Sequence, residues 1–105
     1  MTEFTDTETD ALVKAICYWV EEWDIECPTL FGLEREDLED VARNWPGSLE
    51  YDKNRTLLAC LVSLGEILHG ASALPRSRIT GMIGINYEAA SNLCRLVQSK
   101  YHDTL

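Results

Sequence analysis

Nine carboxylates stand in two short runs of this sequence, Glu21, Glu22, Asp24 and Glu26, then Glu34, Glu36, Asp37, Glu39 and Asp40, with Trp23, Phe31 and Trp45 interleaved. At that density carboxylates attract a basic surface at long range and then pair with its Lys and Arg side chains, while aromatics at the margin supply contact area. Clustered acids also suit Mg²⁺ or Ca²⁺, but the ligand spacing of an EF-hand is absent. For catalysis the residues are poor. Neither His69 nor His102 has a neighbouring nucleophile pattern, and the chain contains no GxSxG, phosphate-binding loop, GxGxxG or HExxH motif. The expectation is a non-catalytic binding protein with no catalytic residue, cofactor or metal.

The charge distribution sharpens this. The 105 residues carry 18 Asp+Glu and 9 Lys+Arg, a formal net charge of -9, with 46% hydrophobic residues, which predicts one soluble acidic domain over residues 1–105. Residues 1–52 hold 15 of the acids and only Lys14, Arg35 and Arg43 as bases, a balance of -12, whereas residues 53–105 sum to +3. The first half should therefore build an acidic face for a basic partner. The total disfavours sequence-independent binding to nucleic acid or anionic membrane, since both need positive charge.

No basic segment followed by an apolar run opens the chain, and no uncharged apolar stretch approaches the roughly 18 residues of a membrane span. Cys17, Cys27, Cys60 and Cys94 form no CxxC unit. Cys17, Cys60 and Cys94 lie among apolar residues of helical patterns, where reduced cysteine behaves as a small buried hydrophobe. A cytoplasmic protein with free thiols is expected.

Helical periodicity supplies the elements. From Asp10 to Trp23, Leu12, Val13, Ile16, Cys17, Trp19, Val20 and Trp23 share one arc and leave Lys14, Tyr18, Glu21 and Glu22 outside. Thr7, Thr9 or Asp10 should cap this helix, with residues 1–9 frayed. Its end collects acids where the helix dipole favours bases, so a partner is expected to bring the missing positive charge. After the Cys27-Pro28-Thr29 break and the Leu30–Leu33 link, a second helix over about Leu33–Trp45 buries Leu38, Val41, Ala42 and Trp45 and pairs Glu39 with Arg43.

Pro46-Gly47 ends the second helix and Leu49–Asn54 reads as a polar connection. A third helix over Arg55–His69 is apolar nearly all round, with Ala59, Ser63 and Glu66 as its solvent strip. Gly65 is expected to admit another helix, and Gly70 to end the helix at positive φ. A short helix from Arg76 to about Ile83 leads through Gly84 to a last helix over about Asn86–Tyr101. There Ala89, Ala90, Leu93, Cys94, Leu96, Val97 and Tyr101 face inward, and Glu88, Ser91, Asn92, Arg95 and Ser99 face out. The fold class is all-α, a compact bundle of four main helices plus one short helix.

The run Ile79–Leu93, with a small residue in the first helix, Gly at the turn and a cap at Asn86, resembles the helix-turn-helix of DNA-reading regulators. That resemblance implies DNA contacts by Arg76, Arg78, Tyr87, Asn92 and Arg95. The same geometry also packs helices without DNA.

A small, helical, acidic chain without catalytic machinery resembles, at the level of class, the immunity proteins that bacteria make against their own nuclease toxins, including those of contact-dependent growth inhibition. Size and the two acidic runs carry the resemblance. It implies a one-to-one inhibitor that covers a basic toxin site with carboxylates in place of phosphates, Glu36, Asp37, Glu39 and Asp40 being central contacts. A helix-turn-helix regulator and a DNA-mimic inhibitor of a host defence enzyme are the alternatives, and monomer and homodimer are both left open.

Overall fold

The computed structural model describes residues 4–23, 32–70 and 73–105, and within them the chain is all-α without strands. In chain order the helices are α1 (Asp6–Glu21), α2 (Arg35–Asn44), the single-turn α3 (Ser48–Tyr51), α4 (Lys53–His69), α5 (Arg76–Ile83) and α6 (Tyr87–Asp103). Helix α4 packs against α1 on one side and α6 on another, α2 lies across α1, and α5 joins α1, α4 and α6. One apolar core runs through these contacts, centred on Leu12, Ile16, Leu38, Leu57, Leu64, Ile67, Ile79 and Val97.

Helix α1 starts earlier than periodicity suggested. Thr5 is its N-cap: the Thr5 hydroxyl accepts from the Glu8 backbone N–H at 3.1 Å, and the Glu8 carboxylate accepts from the Thr5 N–H at 2.9 Å. This capping box, Thr5-x-x-Glu8, satisfies two otherwise orphaned donors and orders residues expected to fray. Phe4 is buried just ahead of it, with Lys100 Nζ 5.6 Å from its ring centroid.

The buried line of α1 is Ala11, Leu12, Ala15, Ile16 and Trp19. Cys17, expected inside, is exposed, and Val13, Val20 and Trp23 are half-buried. The two alanines turn the core arc toward the close neighbours that only small side chains admit, and Cys17 rotates out.

The same contact corrects the reading of α4. Ala59 and Ser63, assigned to solvent, are fully buried, and the Trp19 indole N–H donates to the Ser63 carbonyl at 2.8 Å. A face of small residues is where a partner helix comes closest, so the half-exposed positions are Leu58, Leu61 and Val62 instead. A Cβ built on Gly65 meets nothing within 4 Å among the described residues, so none of their helices makes the expected close approach there. Gly70 closes α4 at φ -76°, without positive φ. Its lack of a side chain serves proximity: a Cβ would stand 2.9 Å from the Glu66 Cα and overlap the Glu66 carboxylate.

Within the expected polar connection, α3 buries Ser48 and Leu49, and the buried Thr56 hydroxyl donates to the Ser48 carbonyl at 3.1 Å. Gly84 does take positive φ (+84°), ending α5 with its N–H on the Thr80 carbonyl. Asn86 then caps α6 by accepting from the Ala89 N–H at 2.8 Å. Helix α6 buries a narrow line, Ala90, Leu93 and Val97. Ala89 and Leu96, assigned to the core, are exposed, and Ser91, assigned to solvent, is half-buried, because one principal neighbour, α4, covers a narrower arc than a bundle interior would.

Candidate partner-binding surface

Two contacts fix α1 and α2 as an antiparallel pair. At one end the Arg35 Nε–H donates to the Val20 carbonyl at 3.1 Å; at the other, the Trp45 indole N–H donates to the Thr9 carbonyl at 3.1 Å. The C-terminal end of α1, with Glu21 and Glu22, therefore lies beside the N-terminal end of α2, with Glu34 and Glu36. Sequence separation hid this convergence. Asp24, Glu26 and Phe31, also assigned to the acidic face, lie outside the described residues, as do Cys27, Pro28, Thr29 and Leu30.

Part of the positive charge expected from a partner is supplied by the chain itself. Arg35, besides meeting Val20, pairs with Glu39 across one helical turn at 3.3 Å. The expected Glu39–Arg43 pair is thus replaced by one with Arg35, which also reaches the negatively polarised end of α1. Arg55, at the start of α4, binds three carboxylates. Its Nη1 donates to Asp37 Oδ1 at 3.1 Å, its Nη2 donates to Asp40 Oδ2, and Asp52 Oδ2 forms an ion pair with Nε at 2.9 Å.

Burial alone would lower the pKa of this guanidinium. The hydrogen bonds to Asp40 and Asp37 and the charges of Asp52 and Asp40 outweigh that and hold it above the ordinary arginine value. Asp37 also accepts from the Glu34 backbone N–H at 2.9 Å, so one carboxylate both caps α2 and anchors it to α4. Asp40 is further engaged by the Asn44 side-chain amide at 3.1 Å.

What remains unneutralised is narrower than the sequence suggested. Glu21, Glu22, Glu34 and Glu36 are exposed and have no ion-pair partner among the described residues; Arg43 is likewise exposed with no ion-pair partner among them. Between α1 and α2 the surface opens into a groove of about 380 Å³ lined by Cys17, Val20, Glu21, Glu39, Ala42 and Arg43. Burial, then the neighbouring Glu21 charge, pushes the Cys17 thiol up from its ordinary pKa, so it is accessible but a poor nucleophile.

Arg35 and Arg55 are the residues sequence reading passed over. The four-residue step from Arg35 to Glu39 was a readable signal; nothing local links Arg55 to Asp37.

The residues of the DNA-reading alternative are partly committed to one another. The Arg76 guanidinium lies over the Tyr87 ring, 4.1 Å from its centroid, and Tyr87 Oη is 3.5 Å from His69 Nδ1. Arg95 donates to the Asn92 side chain at 2.8 Å, which leaves Arg78 exposed without a partner among the described residues. The described residues contain no group of three His, Cys, Asp or Glu side chains placed to hold a metal ion, and no described helix is long and apolar enough to cross a membrane.

No family model, curated protein or solved structure matches the chain.

Proposed function

We propose that this protein is a non-catalytic inhibitor of the immunity-protein kind, which neutralises a basic, nuclease-type toxin in the cytoplasm by covering its active or nucleic-acid-binding site. The observation that carries the reading is the sorting of the acids. Asp37, Asp40 and Asp52 are held by Arg55 and Glu39 by Arg35, whereas Glu21, Glu22, Glu34 and Glu36, at one end of the α1–α2 pair, stay exposed without an ion-pair partner among the described residues.

Leaving like charges unopposed there costs the isolated fold local stability. It does accelerate encounter with a cationic surface and places carboxylates where a nuclease binds phosphates. Asp37 and Asp40 then work chiefly by holding α2 in place, and Glu21, Glu22 and Glu36 make the contacts.

Co-expression with the product of the adjacent open reading frame tests this. The expected result is a basic toxin domain whose growth arrest is relieved and which elutes with this protein as a one-to-one complex. A neighbouring product that is not basic and forms no complex would overturn the proposal.

A further inference from the structure

The groove between α1 and α2 has a different character from the acids around it. Cys17 and Val20 from α1 and Ala42 from α2 give it apolar lining, and Glu21, Arg43 and the Arg35-paired Glu39 give it charged lining. Because the helices run antiparallel, Glu21 marks the end shared with Glu22 and Glu36, and Arg43 lies toward the opposite end. Among the described residues Glu21, Glu22, Glu34 and Glu36 have no ion-pair partner, against Arg43 as the one such base on the groove, which leaves this neighbourhood negative.

An occupant matching both features has an aliphatic stem to lie on Val20 and Ala42 and a cationic head to meet Glu21. Arginine and lysine have that form: their methylenes cover apolar surface while the charge stays at the rim. Arginine fits better, because its planar, weakly hydrated guanidinium can fork onto a carboxylate and is less costly to desolvate. A rim of acids that attracts and a central pocket that anchors is also how hot spots are arranged in protein interfaces.

We propose that this groove is the specificity pocket of the interface and takes an arginine side chain from the basic partner, its stem against Val20 and Ala42 and its guanidinium on Glu21. The inference rests on the acidic-surface reading above and adds a site to it.

Titration of the ¹⁵N-labelled chain with a hexa-arginine peptide, with hexaglutamate as control, tests the proposal. The expected result is saturable perturbation centred on the Cys17, Val20, Glu21 and Ala42 amides, weakened about fivefold by Glu21→Gln and abolished by Ala42→Trp, which fills the groove. As a second measurement on the unaltered chain, hexa-arginine should slow alkylation of Cys17, followed peptide by peptide, without slowing that of Cys94.

Perturbation confined to Glu22 and Glu36, indifferent to Ala42→Trp and without protection of Cys17, would overturn the pocket while leaving the acidic surface standing. Absence of any saturable hexa-arginine binding would overturn both, and preferential binding of hexaglutamate beside Arg43 would overturn the charge argument.

Discussion

Arg35 Nε donates to the carbonyl oxygen of Val20 at 3.1 Å, so the first residue of α2 supplies the cation that the C-terminal end of α1 lacks in its own sequence. The carbonyls of a last helical turn have no intrahelical partner and carry partial negative charge; a guanidinium there offsets the dipole and fixes the crossing of the two helices.

Arg35→Gln should therefore destabilise the fold modestly, by about 0.5–1 kcal/mol for a half-exposed contact, with the loss concentrated in α1. Amide exchange of residues 18–21 should accelerate more than that of the central turns of α4. Uniform acceleration across both helices would contradict a local role for this contact.

Arg55 has more at stake. Removing it deprives Asp37, Asp40 and Asp52 of the guanidinium that joins them, and its side chain is only 27% exposed. Arg55→Met should cost about 1–3 kcal/mol in chemical denaturation. High salt should recover part of this by screening the carboxylates. Arg55→Lys should rescue poorly, because an ammonium cannot span three carboxylates in fixed geometry. A lysine variant as stable as the parent would show that charge alone, not the fork, joins α2 to α4.

Trp19 ties α1 to α4 through one buried hydrogen bond, its indole donating to the Ser63 carbonyl at 2.8 Å. Trp19→Phe keeps most of the apolar contact but orphans that carbonyl's side-chain bond and trims the ring, so a loss of roughly 1–3 kcal/mol follows. The thermal midpoint of the variant checks this; one unchanged within a degree would mean the bond contributes nothing net.

Burial pushes the Cys60 thiol far above its ordinary pKa of about 9. Above that pH an unfolded chain ionises the thiol while the folded one keeps it protonated, so the unfolded state binds fewer protons and stability falls as pH rises. The slope approaches about 1.4 kcal/mol per pH unit for a single group. Below pH 9 the thiol contributes no pH dependence. Denaturation midpoints between pH 8 and 11 should fall less steeply for Cys60→Ala than for the parent, and equal slopes would contradict the assignment.

These contacts show what the sequence could and could not disclose. Among the described residues periodicity located every helix of seven or more residues, and Asn86 and Gly84 announced the α5–α6 junction through local cap chemistry. The face of each helix was less legible. Ala59 and Ser63 look like a solvent strip to any hydropathy argument, yet their small size is what lets Trp19 reach the α4 backbone. Thr5 and Glu8 carried a readable capping box that an apolar-first reading overlooks.

The acidic runs were plain, but their division into neutralised and free carboxylates depended on Arg55, remote in sequence from Asp37. The groove depended on the antiparallel register of α1 and α2. Both are tertiary facts with no local signature.

The most direct test of the central claim, that the unpaired acids at the α1–α2 end receive a basic toxin, is the association rate with that toxin at low and high salt for the parent and for the combined Glu21→Lys, Glu22→Lys, Glu36→Lys variant. The account predicts an on-rate that falls steeply with salt in the parent, and a tenfold or greater loss at low salt in the variant, with its helical spectrum and denaturation midpoint little changed. An on-rate that is insensitive to salt and to this charge reversal would contradict it.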